Sequence, residues 1–219
     1  MGGPNAAIDP ETSIAGMRKV IARLKRKDSG GFLLRRQRYS LVGSRRKRGG
    51  SMTRYHIAQM NVATALYELD QPGMKDFVER LEAVNALAEA SPGFVWRLKD
   101  EAGDATGIKV SDEPRLIVNM TVWESIEALF DFVYRSAHTK VMARRREWFE
   151  RPERAYQALW WVPAGHVPSV EEGLDRLDRL RRNGPTADAF TFKERFPSPA
   201  GDGADGDGIA PEDCCVGWS

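Results

Sequence analysis

Cysteine is almost missing from this chain: there are two, Cys214 and Cys215, adjacent and near the end. Neighbouring cysteines cannot close a long loop, so no disulfide framework is available, and a reduced, cytoplasmic setting is expected. Cys215 opens a five-residue ending where prenylation needs four, so that pattern is missed by one position. Long apolar runs are absent too. Nothing approaches the ~18 consecutive apolar residues of a membrane span, and no apolar core precedes a small-residue cleavage site near the N-terminus. Histidine is scarce: His56, His138 and His166 are scattered, with no HExxH and no paired CxxC spacing, which argues against a dedicated zinc site. P-loop, dinucleotide fingerprint and GxSxG elbow are all missing, so nucleotide-dependent chemistry and serine hydrolysis have no support.

Charge is unevenly spread. The first 51 residues carry 13 Lys and Arg against 3 Asp and Glu, a net of +10, so the remainder carries −8 although the whole chain is only +2. Within this basic arm, Ile14, Met17, Val20, Ile21 and Leu24 recur at helical spacing, and LLRRQR and SRRKRGG follow. Such an arm suits nucleic acid or an anionic membrane surface; the alternative is a translated leader ahead of a genuine start at Met52. Residues 197–219 hold five acidic residues and no basic one among Gly, Ala and Pro, the composition of a disordered tail. DGADGDG within it looks like the opening of a calcium loop, but Val216 stands where the bidentate Glu belongs, and the site is rejected.

Residues 52–196 form the folded domain. RYHIAQMN (54–61) alternates as a strand. Met74, Phe77, Val78, Leu81, Val84 and Ala88 trace a helix that Ser91-Pro92-Gly93 stops. FVWRL and LIVNMTVW (116–123) read as strands, a helical stripe runs from Ile126 through Leu129, Phe130 and Val133, and YQALWWV (156–162) is a fourth strand. The order is β-α-β-β-α-β, the ferredoxin-like α+β pattern. An additional C-terminal helix follows, with Ser169 and Glu172 as a capping box, a Leu174, Leu177, Leu180 stripe and Asn183-Gly184-Pro185 as its end. AFTFKERF then reads as a short last strand that pads an edge or exchanges with a partner subunit.

At SPGFVWRL, LIVNMTVWES, FVYRSAHTKVMARRREWFE and ALWWVPAGH the chain resembles an uncharacterised bacterial family, domain of unknown function 3291. That family belongs to the dimeric α+β barrel superfamily, which also holds the antibiotic-biosynthesis monooxygenases. The resemblance covers roughly residues 53–196. It implies a homodimer whose two sheets close into a barrel around a ligand cavity, and no fixed chemistry.

In such a fold one sheet face lies under the helices and the other lines the barrel, and alternation sorts the residues. Leu116, Val118, Met120 and Val122 form an apolar set suited to the helix layer, leaving Ile117, Asn119, Thr121 and Trp123 for the cavity. With Gln59 and Asn61 from the first strand, Asn119 and Thr121 become candidate polar anchors in an aromatic surround that includes Trp96 and Trp160. The competing reading gives these amides to a dimer interface. Asn85, inside the first helix's apolar stripe, is expected to serve structure by bonding nearby backbone.

Tyr134, His138 and Arg145 fall together on the shoulder of the second helix if it is straight. There His138 could act as a general base toward a phenol, with Arg145 holding an anionic group and Tyr134 orienting either. Other readings are a haem-ligating imidazole packed by the tryptophans, and an ordinary packing histidine; Ser136 is positioned to kink the helix and upset the angular bookkeeping. Arg144–Arg146 with Glu147 read as a paired, solvated face, and Trp148 and Phe149 as anchors. The expected function is a homodimeric domain binding a small hydrophobic or aromatic molecule. Monooxygenase-like chemistry would use Asn61, Asn119, Trp123 and His138, and the alternative is a non-catalytic ligand-binding or dimerisation module. No cofactor is predicted beyond the haem alternative.

Overall fold

Alternation builds the sheet. In the computed structural model, which describes residues 54–100, 105, 106 and 113–200, strand β1 (Tyr55–Thr64) lies at the centre. It pairs antiparallel with β3 (Leu116–Trp123) on one side and β4 (Gln157–Pro163) on the other, while β2 (Phe94–Arg97) pairs antiparallel with β3. The resulting order, β2-β3-β1-β4, is the ferredoxin-like arrangement that β-α-β-β-α-β connectivity generates. The basic arm, the calcium-like loop and the cysteines fall outside the described residues.

Helix α1 (Lys75–Glu89) crosses from β1 to β2. The second crossover, expected as one helix, is broken. Helix α2 (Ile126–Phe130), capped by the Ser125 side chain, runs into a π-helical turn at Asp131–Arg135. Ser136 then adopts extended backbone (φ −102°, ψ −178°), and a new helix α3 spans His138–Ala143. The Ser136 hydroxyl donates back to the Phe132 carbonyl and accepts from the His138 N–H at 3.1 Å. One serine thus closes the first segment and starts the next, the competition between side chain and backbone that disfavours serine inside helices.

Both sheet faces are covered within this one chain. Ala58, Met60, Val118, Met120, Val122 and Trp160 form a fully buried layer under the C-terminal helix α4 (Val170–Asn183), which contributes Leu174, Leu177 and Leu180. Burial of each leucine contributes about 1.5–3 kcal/mol. The Ser169 hydroxyl caps α4 by accepting from Glu172 N–H at 3.1 Å, and Gly184, at φ 72°, ends it. Glu172 does not complete a reciprocal box: its carboxylate accepts from Trp160 Nε1 at 2.9 Å and meets His166 Nε2 at 2.7 Å. Close approach of helix to sheet depends on Gly173, because a Cβ there would lie 2.6 Å from the Met60 methyl group.

The opposite face carries Ile57, Trp123 and Leu159, packed with Leu129, Phe130, Phe132, Phe190 and Phe192. This corrects the sequence-based assignment of faces. The mixed set that alternation assigns to an open barrel lies beneath the crossover helices, and the apolar set lies beneath α4. The segment expected as a last strand meets the sheet in one bridge, Phe190 to Leu159, on the outer edge of β4, and a second bridge, Ala189 to Thr186, closes its own turn. Trp148 is buried and, with Phe77 and Phe149, anchors the end of the second crossover to α1.

Candidate functional site

Between the end of the sheet and the crossover helices lies a cavity of about 330 Å³, within the range of small-molecule sites. Its floor comes from β1 and β3, where Asn61 and Asn119 are register partners. Its walls come from α1, through Phe77 and Asn85, and from α3 and the turn after it, through His138 and Trp148.

The amides are the unusual feature. Asn61 Oδ1 is buried without a hydrogen-bond partner among the described residues, and leaving such a group unmet costs about 1–3 kcal/mol. Asn85 and Asn119 also make no side-chain hydrogen bond with a described residue. Three amides, each with donor and acceptor capacity, therefore line one space; Asn119 is exposed and Asn85 half-buried, and the buried, unmet atom among them is Asn61 Oδ1. Asn85 is the functional candidate that the sequence reading assigned to structure. Its place inside an apolar stripe was the available signal, since an amide there needs a partner, and the cavity is where that partner would bind.

His138 is held for a different role. Its Nδ1 lies 3.3 Å from the Val133 carbonyl, and a carbonyl only accepts, so Nδ1 carries the proton and Nε2 keeps its lone pair. Phe132 packs against the ring with centroids 4.8 Å apart. Burial pushes the imidazole below its ordinary 6.5, an effect that the Val133 hydrogen bond opposes but does not cancel. A neutral imidazole with a free basic nitrogen on a cavity wall is equipped to take a proton.

Arg145 also lines the cavity, but its Nη1 donates to the Tyr156 hydroxyl at 3.1 Å and its guanidinium lies over the Tyr156 ring at 4.7 Å. Tyr134 has parted from His138 and Arg145. The extended backbone at Ser136 resets the angular register, and Tyr134 packs on Phe130 and Phe192 instead. Of the ten residues the sequence offers, Asn61, Asn119, His138 and Arg145 meet at the cavity, and the other six do not line it. Gln59, Thr121 and Trp123 form an internal relay: Thr121 Oγ1 donates to Gln59 Oε1 at 2.9 Å, and Trp123 Nε1 donates to Thr121 Oγ1 at 3.0 Å. Trp123 stacks on Phe132 with centroids 5.0 Å apart, so it supports the wall behind His138 from within the core. Trp96 and Trp160 pack on the α4 side of the sheet.

The haem alternative named tryptophans as its packing, and Trp96, Trp123 and Trp160 lie in the two cores instead of the cavity. No step is routed through a haem. Among the described residues no group of His, Cys, Asp and Glu is placed to hold a metal ion, and no helix is long and apolar enough to cross a membrane.

Fold and cavity together define a ferredoxin-like α+β domain with a cavity beside its sheet. The family model described as a domain of unknown function, DUF3291, matches residues 56–205, and the chain belongs to that family. Among solved structures it is similar to a protein of unknown function from Nitrosomonas europaea (15% identity, 53% of this chain and 98% of that one, TM-score 0.34). It is also similar to a Chloroflexus aurantiacus protein proposed to be an antibiotic biosynthesis monooxygenase (14% identity, 52% and 98%, TM-score 0.32). A transcriptional regulatory protein of the AsnC family from Pyrococcus furiosus shares 14% identity over 70% of this chain and 73% of that one, with a TM-score of 0.23. Likenesses this distant transfer no chemistry. Among curated proteins there is no match.

Proposed function

We propose that the cavity binds a small molecule with an aromatic or hydrophobic body and that His138 removes an acidic proton from it, as from a phenol. The observation that carries this reading is the neutral His138, its Nδ1–H committed to Val133, on the wall of a cavity where the Asn61 acceptor is unmet. Deprotonation concentrates electron density on the substrate while the amides hold its oxygen. An electron-rich phenolate can then supply all four electrons that dioxygen accepts, giving a quinone and water without a nucleotide cofactor. Chemistry of that kind is monooxygenase-like.

A panel of phenols and hydroquinones tests it by oxygen consumption with the full chain. Turnover that disappears in His138→Gln, with the fold and ligand binding kept, supports the base role. Binding without turnover in the unaltered protein removes the enzymatic reading. One observation favours the rival, a non-catalytic binding module. His138 sits between Phe132 and the Val133 carbonyl, where it also secures the helix break. In that case His138→Gln changes stability and affinity alone.

Self-association belongs to the same proposal. The sheet face that would close a two-chain barrel is covered by α4. A dimer that leaves α4 in place would use another surface, such as the free edge of β2, where Val95 is exposed. Native mass spectrometry of the full chain reads that state directly.

A further inference from the structure

The cavity has a second chemical character at the end away from His138, where it reaches round the sheet to Val118, Tyr156 and Arg181. Arg181 belongs to the last turn of α4 and is half-buried. Its Nε donates to the Ala155 carbonyl at 2.7 Å, which orients the guanidinium without neutralising it. Arg181 makes no ion pair with a described residue, and neither does Arg154, whose charge acts on it unfavourably. Asp178, the carboxylate that acts on Arg181 favourably, is already bonded to Arg182 at 3.0 Å.

The lining as a whole includes five arginines and three glutamates; of the arginines, Arg80 is paired with Asp76 at 2.9 Å and Arg145 is engaged by Tyr156. Two of the glutamates, Glu113 and Glu150, are both held by Arg115, at 3.1 and 2.8 Å. Elsewhere on this domain Arg144 is matched with Asp76, Arg179 with Asp175 and Arg135 with Asp131. A partly desolvated guanidinium left without a counter-ion beside a second cation is costly unless something anionic arrives. Arginine's planar fork is suited to a carboxylate.

We infer that the cavity's ligand is an acid: an aromatic or hydrophobic body reaching toward the amide and imidazole end, with a carboxylate held between Arg181 and Arg154. This rests on the cavity reading above and names its substrate class. It also moves the anion-holding role that the sequence reading gave to Arg145, which is engaged by Tyr156, to Arg181 and Arg154.

The test is calorimetric titration of the full chain with 3-phenylpropionate and with its uncharged counterpart 3-phenylpropionamide. The expected result is a preference of about tenfold or more for the carboxylate, as one charge-assisted pair provides. That preference should shrink with added salt and fall to about twofold or less in Arg181→Met, while amide affinity is unchanged. Because Arg181 also ties down Ala155, Arg154→Gln provides a second variant at an exposed position and is expected to lose part of the same preference. Equal binding of acid and amide overturns the inference and leaves the cavity reading standing. So does a carboxylate preference that survives both substitutions. Tighter binding of 2-phenylethyl phosphate than of the carboxylate overturns the assignment of a carboxylic acid. Failure of both probes to bind up to about 10 mM overturns the cavity reading together with it.

Discussion

Asn61 and Asn119 stand directly opposite each other on neighbouring antiparallel strands, and both line the cavity. Asn119 is exposed, whereas Asn61 Oδ1 is buried and has no partner among the described residues. An acceptor that no protein group meets is available to a ligand, and the proposed site takes this pair as its floor.

Replacing Asn61 with alanine is therefore expected to leave the ligand-free protein as stable as before, or up to about 1 kcal/mol more stable, because an unsatisfied buried group is removed. Ligand affinity should fall by about tenfold. Thermal denaturation and titration of the same variant check both halves. A large loss of stability would assign Asn61 to the scaffold.

His138 predicts a pH dependence. Burial depresses its folded-state value below the ordinary 6.5, so below that pH the unfolded chain binds more protons than the folded one. Its stabilising contribution is complete above pH 6.5 and declines as the pH falls from there toward the depressed value. Urea denaturation across this range should show the decline, and His138→Gln should flatten it. A His138 contribution that grows on acidification would contradict the burial argument.

Ser136→Ala tests the helix break. The substitution removes the bond from the His138 N–H and the bond to the Phe132 carbonyl, a cost of about 1 kcal/mol. Since His138 begins two residues later, ligand affinity should fall as well, whereas a surface serine would change neither. Denaturation and titration together distinguish the cases.

Gly173→Leu is expected to undock α4. A Cβ alone meets Met60 and Met120 sulfur atoms at 2.7 and 3.2 Å, and overpacking of this kind costs about 1–3 kcal/mol or more. Hydrogen exchange should then rise along α4 and on the strand residues beneath it. Exposure of that apolar face would also promote pairing with a second copy, which light scattering would detect.

The strand and helix order was legible because alternation and helical spacing are local, and Leu116–Trp123 was read to the residue. The assignment of faces was not. Both faces of this sheet are covered, and periodicity cannot say which helix covers which. Ser136 was recognised as a kink, but its consequence, the separation of Tyr134 from His138, depends on a backbone angle that no pattern encodes. Asn85 was seen and assigned to structure because buried amides usually find backbone partners; that it lines the cavity with no such partner among the described residues is visible only in three dimensions. Arg181 and Arg154 carried no signal at all, since an arginine in the last turn of a helix or in an exposed loop is ordinary.

The central claim is that these amides and His138 form one ligand site, and it is tested most directly by nuclear magnetic resonance of the full chain titrated with 3-phenylpropionate and with phenol. Shifts concentrated on the side-chain amides of Asn61, Asn85 and Asn119 and on the His138 ring, with Nδ1 remaining the protonated nitrogen, are the predicted result. Saturable shifts at other residues, with those four side chains unmoved, would contradict it.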